Sequence, residues 1–272
     1  MPDFQVDRVA STLGELTVRS GRVKRAKRLA TRSFREESGE FLAEGPQAVR
    51  EALVEGLARD VFATPEAYER HNDLPPLDTG DAEWHLVDEE ILTHIADAVH
   101  PQGIVARCVQ VRHELDVVLA YAPQLIVVCA DIRDPGNAGS VIRAADATGA
   151  DAVIFTGDSV DPWNPKAVRA SVGSLFHVPV VIERDILTAL AAANAAGLQV
   201  LAADGAGDVG LFDAKLDVPT AWLMGNEAWG LPEETRALAD SVVSIPIYGR
   251  AESLNLATAA TLCLYTSAQA QR

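Results

Sequence analysis

Apolar positions change character along this chain. From residue 124 onward, short continuous apolar runs alternate with longer amphipathic stretches. The runs at 125–130, 152–156, 178–182, 199–204, 220–224 and 242–247 are rich in Val, Ile and Leu. Such runs predict strands buried on both faces. Between most of them, 137–148, 165–172, 185–196 and 232–239 predict helices, and a last helix covers 253–268. Strands alternating with helices imply a parallel sheet covered on both sides. Upstream the pattern is more mixed, with strands at 41–43, 60–64, 84–87 and 104–111 and helices at 46–57, 65–70 and 88–98. Pro46 suits a first helical turn. The stretch 113–123, with Tyr121-Ala122-Pro123 just before a buried strand, marks the boundary. The chain reads as α/β throughout: a leader at 1–35, a small domain at 36–118 and a larger one at 119–272.

Composition narrows the class. Hydrophobic residues are 48% of the 272 and charged residues 23%, which excludes global disorder, a collagen repeat and a disulfide-stapled miniprotein. Cys108, Cys129 and Cys263 are odd in number, far apart and in or beside apolar runs, so they read as reduced core thiols of a cytoplasmic protein. Residues 1–10 include Asp3 and Asp7 and have no apolar export signal. The uncharged window 186–203 is interrupted by Thr188, Asn194, Gly197 and Gln199, and reads as helix, glycine stop and strand. No membrane partner is expected.

The net charge of −16 argues against nucleic acid, because phosphate binding needs cations. Its distribution argues the other way. Residues 1–35 hold nine Lys/Arg (Arg8, Arg19, Arg22, Lys24, Arg25, Lys27, Arg28, Arg32, Arg35) against three acids, a surplus of six, so the remaining chain carries −22. Such a block is either an arm that follows phosphates or a solvated basic helix face.

Gly205-Ala206-Gly207-Asp208-Val209-Gly210 matches the dinucleotide fingerprint G-x-G-x-x-G. That fingerprint works by presenting a helix N-terminus to a pyrophosphate. Here Pro219 follows too soon for a helix, and the motif sits late in the sheet. A flexible glycine loop accounts for it, and a nicotinamide-dependent oxidoreductase has no other support. The six histidines are scattered; His94, Asp97 and His100 would share a helix face, but no cluster with metal-ligand spacing is evident, so no metal is expected.

Three further segments each follow a predicted strand, where open parallel sheets bind ligands. The first runs from Asp131 through Pro135, Asn137, Gly139 and Ser140 to Arg143, with Asn137 suited to a helix N-cap. The second is Gly225-Asn226-Glu227-Ala228-Trp229-Gly230-Leu231, two glycines bracketing an acid. The third runs from Ile245-Pro246 through Gly249 to Glu252-Ser253-Leu254-Asn255, whose Ser253 and Asn255 are possible caps for the last helix.

In order and spacing these segments resemble the signature motifs of the SpoU (TrmH-like) family of SPOUT RNA ribose 2′-O-methyltransferases: D-x-x-x-P-x-N-x-G-S-x-x-R, G-N-E-x-x-G-L and I-P-x-x-G-x-x-E-S-L-N. The likeness covers 124–268, and 40–112 is similar to the family's small substrate-binding domain, whose fold is like a ribosomal protein. The resemblance implies a parallel-sheet domain with a deep trefoil knot, a homodimer, and S-adenosyl-L-methionine as cofactor. It places Gly225, Ile245 and Leu254 at the adenosyl site, and Asn137, Arg143, Glu227, Ser253 and Asn255 at the functional polar positions. It also implies that Arg143 of one chain reaches the cofactor site of the other. A permanently protonated guanidinium suits stabilisation of alkoxide or phosphate charge, while Ser253 and Asn255 would place the ribose. Glu227 either binds RNA or orders its loop. The expected substrate is RNA, ribosomal in preference to transfer RNA because a separate domain precedes the catalytic one. The alternative is a non-catalytic RNA-binding protein that keeps the fold, against which the intact Arg143, Ser253 and Asn255 count.

Overall fold

A computed structural model describes residues 9–272; the start of the basic leader, Arg8 included, lies outside the described residues. In chain order the elements are β1 (Val9–Ser11), α1 (Gly21–Arg28), α2 (Arg32–Ser38), β2 (Glu40–Glu44), α3 (Pro46–Val54), β3 (Ala58–Ala63), α4 (Pro65–Arg70), β4 (Glu83–Leu86), α5 (Glu89–Ile95), β5 (Ile104–Val109) and α6 (Leu115–Ala120). They continue as β6 (Leu125–Ala130), α7 (Pro135–Thr148), β7 (Ala152–Thr156), α8 (Pro165–Ser171), β8 (Val180–Ile182), α9 (Ile186–Ala195), β9 (Gln199–Ala203), β10 (Val209–Gly210), β11 (Thr220–Met224), α10 (Glu233–Arg236), β12 (Ser241–Ser244) and α11 (Leu256–Ala270). Two compact units result: one runs to Gln110 and takes in Trp163–Phe176, and the other comprises Val111–Pro162 and His177–Arg272.

The first unit has a sheet in the order β1-β4-β3-β5-β2. Its core corrects the reading of a separate basic leader. Val23, Ala26 and Leu29 recur at helical spacing along α1, are fully buried, and pack with Phe34 of α2 against Leu42, Phe62, Ile91 and Val105. Burial of each larger aliphatic contributes roughly 1.5–3 kcal/mol. The cations of the leader are also used structurally. Arg22 pairs with Asp60 and with Glu83 (2.8 Å), Arg25 donates to Glu40 (2.8 Å), and Arg107 joins Asp60 to Glu40. Arg35, 1% exposed, donates to the carbonyl of Leu29 at 2.8 Å. Residues 21–38 are therefore the opening helices of this unit.

Two local expectations also change. Helix α5 ends at Ile95, so Asp97 and His100 lie beyond it and share no helix face with His94. The segment 163–176, read from sequence as a crossover of the larger domain, belongs to the first unit, where Arg169 binds Glu44 (3.1 Å) and Asp97 (2.8 Å).

The second unit is built on an all-parallel sheet in the order β10-β12-β9-β11-β6-β7-β8. Its central strands β6 and β11 are buried at every residue, as helices on both faces require. The last helix, α11, is tied to β11 where buried Trp222 Nε1 donates to Ser267 Oγ at 2.8 Å. Helix α6 forms inside the expected boundary stretch, and α10 is a single turn. No helix follows Gly205–Gly210; the chain enters β10 beside β12. A Cβ at Gly207 would lie 2.7 Å from the backbone of Val242, Val243 and Ser244, so this glycine serves close strand packing. All three cysteines are buried and unbridged, and burial pushes Cys108 and Cys263 up to about 12. Among the described residues no helix is long and apolar enough to cross a membrane.

Candidate active site

Strands β6, β11 and β9 end level with one another, at Cys129, Met224 and Ala203 in register. The loops that leave these ends, and the one that follows β12, build the site. Pro135 fixes where α7 begins: it takes the first helical turn, where no N–H is needed, and Asp134 becomes the N-cap. The Asp134 carboxylate accepts the Asn137 N–H at 2.9 Å. Asn137, expected as the cap, is thus one turn inside the helix, and its side chain is released for other contacts.

Those contacts join the three motifs. Glu227 Oε1 accepts the Asp134 N–H (3.1 Å) and the Asn137 side-chain amide (3.1 Å), while Oε2 accepts the Arg133 N–H (3.1 Å). Asn255 Nδ2 donates to Asn137 Oδ1 at 2.9 Å, and Asn255 Oδ1 caps α11 by accepting from Ala257 (2.9 Å) and Thr258 (3.3 Å). The polarity of this chain is forced. A carboxylate only accepts, so Asn137 must turn its nitrogen toward Glu227 and its oxygen toward Asn255. The oxygen of Asn255 is then left for the helix N-terminus. Glu227 therefore orders the loops, one of the two roles open to it from sequence.

Asn226 was not singled out by sequence reasoning, yet it is the buried strut of the second motif. Its Nδ2 donates to the Asp131 carbonyl at 2.6 Å and its Oδ1 accepts the Ala228 N–H at 2.7 Å. The signal available was its place beside a glycine at a strand end. At Gly225 a Cβ would stand 2.5 Å from the Gly230 carbonyl carbon, so the loop can close on itself only over a glycine.

These loops surround a cavity of about 330 Å³, within the usual range for small-molecule sites. Gly225, Ile245 and Leu254, the residues expected at the adenosyl site, all line it, as do Glu227 and Ser253. Met224 and Leu256 extend the apolar wall, and the carboxylates of Asp204 and Glu252 supply polar edges. Such a lining fits a flat heteroaromatic group carrying hydroxyls and a cation. Ser253 is exposed in the loop, and α11 starts only at Leu256 because Asn255 takes the cap.

Arg143 stands apart from this cluster. It is exposed on α7, does not line the cavity, and meets no carboxylate among the described residues. The acid nearest in sequence, Asp146, is taken by His177 Nδ1 at 3.0 Å. Six residues at about 100° each turn Arg143 about 120° away from Asn137 around the helix, and carry it about 9 Å along the axis.

Sequence reasoning saw no metal-ligand cluster, but β3 and β4 pair side by side and bring Asp60, Glu83 and His85 together, with ligand atoms within 4.8 Å. Two guanidiniums occupy this group. Burial alone would raise the Asp60 carboxyl, but the His85 ring (3.0 Å), Arg107 and Arg22 outweigh it and hold Asp60 well below the usual carboxylate range. Its chemistry is that of a buried ion network.

An open parallel sheet whose strand ends form one small-molecule cavity, attached to a separate α/β unit, defines a two-unit α/β ligand-binding protein. The SpoU rRNA Methylase family model matches residues 124–265, and that of the MRM3-like substrate binding domain matches 21–106. The 23S rRNA (guanosine(2553)-2′-O)-methyltransferase RlmP of Bacillus subtilis is 31% identical over 251 residues, 92% of this chain and 96% of that protein. The 23S rRNA (uridine(2479)-2′-O)-methyltransferase of Streptomyces viridochromogenes is 34% identical over 248 residues, covering 87% and 85%. Among solved structures, the AdoMet-bound rRNA methyltransferase from Sinorhizobium meliloti superposes with a TM-score of 0.81 at 31% identity, covering 94% of this chain and 98% of that one. The SpoU methyltransferase AviRb from Streptomyces viridochromogenes, in complex with AdoMet, gives a TM-score of 0.81 at 32% identity, covering 92% and 98%. The chain belongs to the SpoU rRNA methylase family.

Proposed function

We propose that this protein transfers a methyl group from S-adenosyl-L-methionine to a ribose 2′-hydroxyl of ribosomal RNA. The observation that carries this reading is the Glu227–Asn137–Asn255 chain, which holds the three motifs together at the rim of the cavity lined by Gly225, Ile245 and Leu254. The cofactor, bound there, supplies an electrophilic methyl. The protein's own tasks are binding and orientation. Ile245 and Leu254 offer apolar contact to an adenine ring, and the glycine at 225 lets the loop backbone approach it. Ser253, exposed at the cavity edge, is placed to hold the ribose. Orientation of this kind is worth several kcal/mol of barrier.

The active unit is a homodimer in this reading. Arg143 faces away from its own chain's cavity and has no carboxylate partner, as expected of a cation that serves the cavity of a second copy. There its guanidinium offsets negative charge growing on the ribose oxygen or on a neighbouring phosphate. We further infer a trefoil knot. It is supported by β11 inserting between β6 and β9, and by the close backbone approaches at Gly207 and Gly225. Cytoplasmic location follows from the reading of buried, unbridged cysteines as reduced thiols.

Mapping 2′-O-methyls in cellular rRNA with and without the protein tests the function. Loss of one methyl supports it, whereas an unchanged map from cells that had expressed the protein overturns it.

A further inference from the structure

We propose that the outward face of α1, formed by Lys24, Lys27 and Arg28 with Arg19 just ahead of it, binds the sugar-phosphate backbone of the RNA substrate. This rests on the reading of the protein as an RNA-directed enzyme, and it assigns a contact surface outside the cavity. The structure divides the basic leader into two sets of cations. Arg22 and Arg25 lie on one flank of α1 and are neutralised by Asp60, Glu83 and Glu40. Arg35 is buried, and Arg32 pairs with Glu36 at 2.8 Å.

The other set has no such partners. At about 100° per residue, Lys24 and Arg28 lie on the side of α1 opposite the buried Val23 and Ala26, with Lys27 beside them. Arg19, Lys24, Lys27 and Arg28 are all exposed, and no carboxylate pairs with any of them among the described residues. The nearest acids along the chain are Glu15 and Glu36, so nothing local offsets the charge. The Arg28 guanidinium also stacks 3.7 Å above the Phe34 ring, which holds it in place with its N–H edges free to meet an anion.

The face thus presents several cations on one rigid, core-anchored helix, in a chain whose remainder carries −22. Held repulsion of this kind is unfavourable unless a polyanion relieves it. RNA fits because successive phosphates run past a helix face as a line of charge. Helix α1 also opens the segment matched by the substrate-binding-domain model, residues 21–106.

The test is the salt dependence of binding to a short fluorescein-labelled RNA hairpin, read by anisotropy. Each phosphate contact contributes somewhat under one to the log–log slope, so K24Q/K27Q/R28Q should flatten it by about two to three. Between about 50 and 200 mM salt the triple variant should lose about 40-fold less affinity than wild type does. Because Arg28 also covers Phe34, the pair K24Q/K27Q is measured too, with an expected flattening of about two and an unchanged melting temperature. R25Q is the contrasting variant: it should lower the melting temperature and leave the slope alone. An unchanged slope in K24Q/K27Q overturns the proposal, as does equal flattening by R25Q. These readouts need no methyl transfer. A wild-type protein that binds RNA with the full slope but transfers no methyl would overturn the enzymatic reading and leave this surface standing.

Discussion

Replacing Glu227 by glutamine removes one oxygen from the point where three donors converge. Oε1 accepts from Asp134 N–H and Asn137 Nδ2, and Oε2 from Arg133 N–H. In the better orientation, the introduced amide keeps the two-donor oxygen and turns its NH₂ toward Arg133, donor against donor. The two remaining bonds lose their ionic character, from about 1.5–3 kcal/mol each to about 0.5–1.5. Water replaces much of this because the carboxylate is exposed, so folding stability should fall by less than about 1 kcal/mol. Activity should fall further. Without the anchor, Asn137 no longer holds Asn255, and the loop bearing Ser253 drifts from the cavity edge. A loss of about 2–3 kcal/mol in transition-state positioning is about 30- to 150-fold in kcat/KM. The assay is tritiated methyl transfer to rRNA, with calorimetric cofactor affinity and melting temperature measured on the same preparations. Glu227→Gln within threefold of wild type would refute the anchoring argument. So would Glu227→Gln and Asn255→Ala effects that simply add, because both act through Asn137 and should couple.

Arg143→Ala should cut transfer by more than about 100-fold, equivalent to about 2.7 kcal/mol, while cofactor affinity and melting temperature stay near wild type. Mixing it with a second inactive variant impaired at the cofactor cavity should restore some activity if sites are shared between subunits. Gly225→Ala places a Cβ 2.5 Å from the Gly230 backbone; strain of about 1–3 kcal/mol should appear in calorimetry as cofactor affinity weakened more than tenfold. Asp60 is held below the usual carboxylate range, so its contribution to stability is fully present above its unfolded pKa of about 3.9 and is lost as pH falls toward the folded value. Asp60→Asn should cost about 3–5 kcal/mol at neutral pH by leaving Arg107 and His85 uncompensated, and should flatten the decline in the urea midpoint below about pH 4.

The second unit was legible because its central strands are apolar at every position and are bounded by turn residues, a pattern with no competing interpretation. The residue types of the site were legible for the same local reason: Asn, Glu and Ser at strand ends signal loops with a purpose. Their partners were not. Asp134 and Asn137 are both good caps, and only the position of Pro135 decides between them. That Glu227 reaches back to Arg133 depends on β11 lying beside β6, a pairing of distant segments. The leader was misread because its cations outnumber Val23, Ala26 and Leu29, although those three keep helical spacing. The Asp60–Glu83–His85 group arises purely from strand register, and the grouping of 163–176 with the first unit from tertiary contact.

The most direct test of the central claim is where a transferred methyl group ends up. Purified protein is incubated with tritiated S-adenosyl-L-methionine and unmodified 23S rRNA, and the RNA is then hydrolysed in alkali. A 2′-O-methyl removes the hydroxyl that attacks the adjacent phosphodiester, so the account predicts label in an alkali-stable dinucleotide, abolished by Arg143→Ala. Label recovered in mononucleotides as a methylated base would contradict it, and so would a protein that binds the cofactor and RNA yet transfers nothing.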